Sequence, residues 1–264
     1  MFKIKNYVSN DDVRVIDSKG KFKVVEYIKD LSVTEENSMN AYFNSQMNIR
    51  KKQVLCELHN DGVILQAGSM QWMVGDVNAT TGLKGVGDFF GKMARSAVTN
   101  ESTIKPEYVG TGVIALEPTY KHIVLIDLDE WNGSVVLDDG LFLACDACLK
   151  HKAVMRSNIS SAVLGNEGMF NLGIKGQGIV CIESRCPVDE LIEIELQDDT
   201  LKIDGNMAIA WSESLDFTVE RAGKSLVGSA ASGEGLVNVY RGTGKVLLAP
   251  VDGKKINMTT VVSE

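Results

Sequence analysis

Cys145-Asp-Ala-Cys148, with His151 three residues further on, is the grouping in this chain best suited to chemistry. Two thiolates and an imidazole could supply three ligands to zinc, and Cys-x-x-Cys is also the spacing of a redox dithiol. The surroundings argue the other way. The run continues Leu141-Phe-Leu-Ala144, whose period-two alternation puts Cys145 and Cys148 on opposite faces of a strand, whereas metal and redox pairs of this spacing sit on turns or helix starts. A fourth ligand is not in view, and no metal or cofactor is assigned.

Gly85-Val-Gly87-Asp-Phe-Phe-Gly91-Lys92 suggests a phosphate cradle and fails on spacing. Gly85 leaves five residues before Gly91-Lys92 where a P-loop needs four, and Met93 stands where the magnesium-binding Ser or Thr belongs. The histidines, His59, His122 and His151, have no Gly-x-Ser-x-Gly elbow beside them, so a hydrolytic triad is not expected. Asp127-Leu-Asp129-Glu130 and Asp138-Asp139 are not spaced as a calcium loop and read as solvated strand ends. Trp72, Trp131 and Trp211 read as packing. Nothing unites an acid, a base and a nucleophile, so the expectation is a non-enzyme with no catalytic, cofactor-binding or metal residues.

The elements that would carry these side chains recur. Gly110-Thr-Gly112-Val-Ile-Ala-Leu116 returns as Gly176-Gln-Gly178-Ile-Val-Cys-Ile182 and as Gly242-Thr-Gly244-Lys-Val-Leu-Leu248, at intervals of 66 residues. Strands follow these glycine pairs, and they lack the third glycine and the helix of a dinucleotide fingerprint. Turn or bulge glycines are expected instead. Glu101, Glu167 and Glu234 precede the three pairs. Asn60-Asp61-Gly62, Asp138-Asp139-Gly140 and Asp204-Gly205 each divide two apolar runs, a hairpin signal because glycine accepts the positive φ of a type I′ turn. Period-two alternation, as in Ile192-Glu-Ile194-Glu-Leu196, predicts half-buried antiparallel strands.

The fold expected is all-β. Residues 1–53 form an extension with strands near Val13 and Phe22, a turn at Lys19-Gly20, and a short helix near 33–47 entered by a Ser32–Glu35 capping box. Residues 54–118, 119–184 and 185–251 are three β repeats, and 252–264 a tail. Within the first repeat, Val86, Phe89, Phe90, Met93, Ala94 and Ala97 predict an amphipathic helix over 86–97, which reads as packing on its own sheet.

A net charge of -8 with pI near 5.1 argues against a sequence-independent grip on nucleic acid. Five cysteines, an odd number, and no charged-then-apolar leader predict a reduced cytoplasmic protein. No run of apolar residues is long enough to span a bilayer, which leaves only peripheral membrane contact open.

Leu65-Gln-Ala-Gly68-Ser-Met70-Gln-Trp-Met73, Glu101-Ser102, Gly110-x-Gly112, Asp139-Gly140-Leu-Phe-Leu-Ala144, Gly176-x-Gly178, Ile203 to Trp211 and Gly233-Glu-Gly235 together resemble the altered-inheritance-of-mitochondria protein 24 family. Its members share the fold of the tryptophan RNA-binding attenuation protein. The resemblance covers about residues 54–250. Arg95 to Pro106 matches the family's arginine-rich and aromatic segment only loosely. The resemblance implies three short double-stranded β-helix units per chain and three chains closing into a ring. It carries over no catalytic residue. Bacterial members are mostly uncharacterised, and mitochondrial ones are associated with inner-membrane organisation and respiratory complexes. The function expected is an oligomeric scaffold or interaction protein with an undefined protein partner. The alternative is a small-molecule or RNA-linked binding module using clefts between the β repeats.

Overall fold

The computed structural model describes residues 2–80, 105–155, 170–221 and 236–250. Their strands are β1 (Val13–Lys19), β2 (Phe22–Tyr27), β3 (Lys52–Leu65), β4 (Met70–Thr80), β5 (Glu107–Leu116), β6 (His122–Asp127), β7 (Ser134–Leu137), β8 (Phe142–Asp146), β9 (Lys150–Met155), β10 (Phe170–Lys175), β11 (Ile179–Ser184), β12 (Ile192–Asp204), β13 (Ala208–Trp211), β14 (Asp216–Arg221) and β15 (Leu236–Leu248). One α-helix, α1 (Ser38–Gln46), stands among them. The helix expected over 86–97, the three glutamates ahead of the glycine pairs and the tail over 252–264 lie outside the described residues.

The strands make two sheets, and every pairing described is antiparallel. One runs β1-β2-β3-β8-β11-β6, with β5 also on β3 and β4 on β5; the other runs β12-β15-β13-β7-β10-β9, with β14 also on β15. The strand after each glycine pair meets its neighbour in one way. Leu116, Ile182 and Leu248 stand opposite Met70, Phe142 and Ala208, and across a one-residue bulge Ala115, Cys181 and Leu247 stand opposite Trp72, Ala144 and Ala210. A second contact also returns in the same register. Leu65 and Ile64 of β3 pair with Ala144 and Cys145 of β8, while Leu137 and Val136 of β7 pair with Ala210 and Trp211 of β13.

The glycine pairs permit close approach. Gly110, Gly176 and Gly242 take φ of +142°, +138° and +114°, a region that disfavours side chains. A Cβ on Gly112 would lie 2.2 Å from the carbonyl oxygen of Val74.

The Asp-Gly segments are not hairpins. β3 runs straight through Asn60-Asp61-Gly62, where Asn60, at φ +58°, makes a bulge, and Asp198, at φ +53°, does the same in β12. The backbone N–H groups of Asn60 and Asp198 donate to the hydroxyls of Thr111 and Thr243, the central residues of the facing glycine pairs, at 3.0 Å each. In the middle interval a 3-10 turn over Leu128–Trp131 replaces the bulge and splits the strand into β6 and β7. Gly140 turns the chain from one sheet into the other, and Gly205 joins β12 to β13, which lie on opposite sides of β15. Positive φ serves a bulge or a corner as well as a two-residue turn.

Three core clusters follow one another along the chain. β6 and β11 are buried on both faces. Ile123, Leu125, Ile179 and Cys181 enter the first cluster, and Val124, Ile126, Val180 and Ile182 enter the second. That is why these strands read as unbroken apolar runs. Each such side chain contributes roughly 2 kcal/mol by leaving water.

In the extension, β1 and β2 form the expected hairpin around Gly20, at φ +54°. The capping box does not form. Ser32 bonds to Asp30, and α1 begins later, from Asn37, with no side-chain cap. Phe2-Lys-Ile4 is not a strand.

Candidate functional site

β8 ends at Asp146 and the chain turns back into β9, so Cys145 is buried and Cys148 lies exposed on the turn itself, not on a continuing strand. Cys145 Sγ stands 3.1 Å from His151 Nε2, and the imidazole meets Phe142 edge-on at 5.6 Å. Burial pushes the Cys145 thiol well up. Burial, then the positive charge of Lys105, pulls His151 down to about 4. Both groups are therefore neutral near pH 7, whereas a Cys–His nucleophile works as a thiolate. Cys148 Sγ donates instead to the carbonyl of Gln177 at 3.4 Å. Among the described residues no group of three or more His, Cys, Asp or Glu could hold a metal ion.

The acid between the cysteines binds strands together. Asp146 Oδ2 accepts the backbone N–H of Ile179 at 2.7 Å, and Oδ1 lies 2.9 Å from Lys21 Nζ. Lys21 also pairs with Asp61 at 2.5 Å and donates to the Gly62 carbonyl at 3.1 Å. This ties the β1–β2 turn to β3, β8 and β11. Burial alone would lower the Lys21 pKa, but the two carboxylates outweigh it and raise it.

The remaining sequence candidates disperse. Asp127 accepts the N–H of Asp129 at 3.0 Å and starts the 3-10 turn. Trp131 and Trp211 are buried in different core clusters, and Trp72 packs against Tyr7 in a third region. His59 is exposed on β3, and His122 begins β6. These residues do not converge on one site.

What the surface offers is edges and apolar side chains. Met39, Tyr42, Phe43 and Met47, in and just after α1, are each 60% or more exposed. Their four-residue spacing gives a helix but no buried face. Among the described residues β4 pairs only with β5, and β12 only with β15. Trp72 and Met73 hold the positions that Ala144-Cys145 and Ala210-Trp211 hold in the two later intervals, where a further strand lies alongside. Lys202 and Ile203 stand 66 residues after Val136 and Leu137, whose outer side is taken by β13. Among the described residues the contact made by β3 with β8 and by β7 with β13 thus has no counterpart at β4 or β12, a feature that spacing alone did not reveal. Among the described residues no helix is long and apolar enough to cross a membrane.

Relatives match most of the chain. An uncharacterised protein of Streptococcus pyogenes serotype M6 is 33% identical over 198 residues, covering 72% of this chain and 77% of that protein. A crystal structure of a Streptococcus pyogenes protein superimposes with a TM-score of 0.56 at 30% identity, covering 78% of this chain and 90% of that one. The family model described as "Mitochondrial biogenesis AIM24" matches residues 43–251. With that span matched and these relatives alongside, the chain belongs to the AIM24 family.

Proposed function

We propose that this protein is a non-enzymatic scaffold whose working form is a head-to-tail homo-oligomer built from three β repeats per chain. One observation carries the reading. The β3–β8 contact and the β7–β13 contact are the same pairing, and it would continue from Ile203 and Lys202 of β12 to Trp72 and Met73 of β4. Within one chain these edges have no such neighbour among the described residues. A second copy supplies one in the same register, and successive copies give a heterologous contact that closes into a ring or runs on as a filament. Edge strands are usually covered or paired, and here the partner with the right backbone is another copy of this chain. The neutral state of Cys145 and His151 supports the absence of nucleophilic chemistry. Light scattering coupled to gel filtration tests the assembly. A mass of three chains is the expected outcome, and a strictly monomeric species at micromolar concentration overturns it.

A further inference from the structure

Between β7, β9 and β10 on one side and β13 and β14 on the other lies a cavity of about 170 Å³. Its walls are Val136, Val154, Leu215 and the rings of Trp211 and Phe217, with Glu213 and Asp216 at the polar side. Trp211, Phe217 and Tyr240 hold one another, with Phe217 and Tyr240 stacked at 4.9 Å and Trp211 at 5.4 Å from each. The three rings therefore pack as one group. Asn171, also on the lining, is anchored by donating to the Leu137 carbonyl at 3.0 Å.

Glu213 is half-used. Its Oε1 pairs with Lys152, while Oε2 is buried and has no hydrogen-bond partner among the described residues. A buried carboxylate oxygen without a donor is costly, and such atoms in folded proteins are normally satisfied by a ligand or water. One 66-residue interval earlier, the positions of Glu213 and Asp216 are held by Ala147 and Lys150. The acidic lining thus belongs to this junction and is not a general property of the β unit.

We propose that this cavity binds a small organic ammonium ion, its charged end on Glu213 Oε2 and its apolar body against Trp211 and Phe217. Lys152 takes Glu213 Oε1 and the charge of Arg241 acts on Asp216, so Glu213 Oε2 is the acceptor left for a cation to meet. Aromatic faces attract ammonium groups, most strongly when the site is desolvated. The volume suits a body of single-ring size, since a cavity of about 150 Å³ admits benzene. The lining residues all belong to one chain.

Benzylamine and its neutral isostere benzyl alcohol, titrated into the full chain and followed by amide and indole NMR shifts, test the assignment. Benzylamine should shift the Trp211 indole and bind about tenfold more tightly than the alcohol. Glu213→Gln should weaken benzylamine by about tenfold and leave the alcohol unchanged. Val154→Phe, which fills the cavity without touching either acid, should abolish binding of both while amide dispersion stays native. Equal binding of the two probes, retained binding in Glu213→Gln, or no binding at millimolar concentration (Glu213 then meeting water only) each overturns the proposal.

Discussion

Lys21 Nζ sits 2.9 Å from Asp146 Oδ1 while the other oxygen of Asp146 takes the backbone N–H of Ile179 at 2.7 Å, so one carboxylate joins β8 and β11 to the β1–β2 turn. Both side chains are largely buried. Asp146→Ala leaves Lys21 with Asp61 and the Gly62 carbonyl, and the Ile179 N–H without an acceptor. The expected loss is about 3 kcal/mol, read as a lower urea midpoint. An unchanged midpoint would show the clamp to be idle.

Glu26, at 2% exposure, lies among three cations, with Arg14 at 2.7 Å, Arg50 at 3.1 Å and Lys52 at 3.6 Å. Burial raises its pKa, but the hydrogen bonds from Arg14 and Arg50 and the charge of Lys52 outweigh burial and hold it below the ordinary 4.5. The folded chain therefore binds this proton more weakly than the unfolded chain. The stabilisation is fully present above pH 4.5 and drains away as pH falls through the lower folded value. Glu26→Gln should cost roughly 3 kcal/mol at neutral pH and flatten the acid limb of a stability–pH profile. A parallel profile for the variant would assign that limb to other carboxylates.

Gly112, Gly178 and Gly244 resist side chains for two reasons. A Cβ at Gly112 would meet the Val74 carbonyl at 2.2 Å, and one at Gly244 the Ser212 Cβ at 2.8 Å, while Gly178 combines φ +148° with an Asp146 oxygen at 2.7 Å. Close approach thus governs the first and last, and left-handed backbone adds to it only at Gly178. Valine at each site should lower stability by about 1–3 kcal/mol, with Gly112 the most sensitive because its obstacle is backbone. Thermal unfolding of the three variants ranks them, and three neutral replacements would dismiss the equivalence of the sites.

Met73 is 42% exposed on the β4 edge, and in the proposed assembly it faces Lys202 of the next copy. Met73→Lys places like charges opposite each other, which is destabilising across a ladder. It should reduce the oligomer to monomers in gel filtration, whereas Met73→Glu should preserve assembly. Folding of either monomer should change by no more than about 0.5 kcal/mol. If both variants assemble like the parent, the contact lies elsewhere.

The 66-residue spacing, the all-β class, the β1–β2 hairpin and the family were legible in the residues because they depend on local pattern: glycine pairs, period-two alternation and ordered motifs. The place of Cys148 was not legible, because alternation carried the strand on through it, whereas β8 ends at Asp146 and Cys148 lies on the turn that follows. The acidic cavity was not legible. Glu213 and Asp216 are unremarkable in a loop until Val136, Val154 and Trp211 arrive from other strands.

The Asp-Gly segments mark the boundary between the two kinds of knowledge. Residue type specified that the backbone could turn left-handed near Asn60, Gly140 and Gly205. Whether that turn became a bulge, a passage between sheets or a link across β15 was decided by which strand lay opposite, and pairing partners far apart in sequence are chosen by packing. Likewise, the recurring glycine pairs are written in the chain, but that β4 and β12 each keep one edge unpaired among the described residues was decided by which strands found each other.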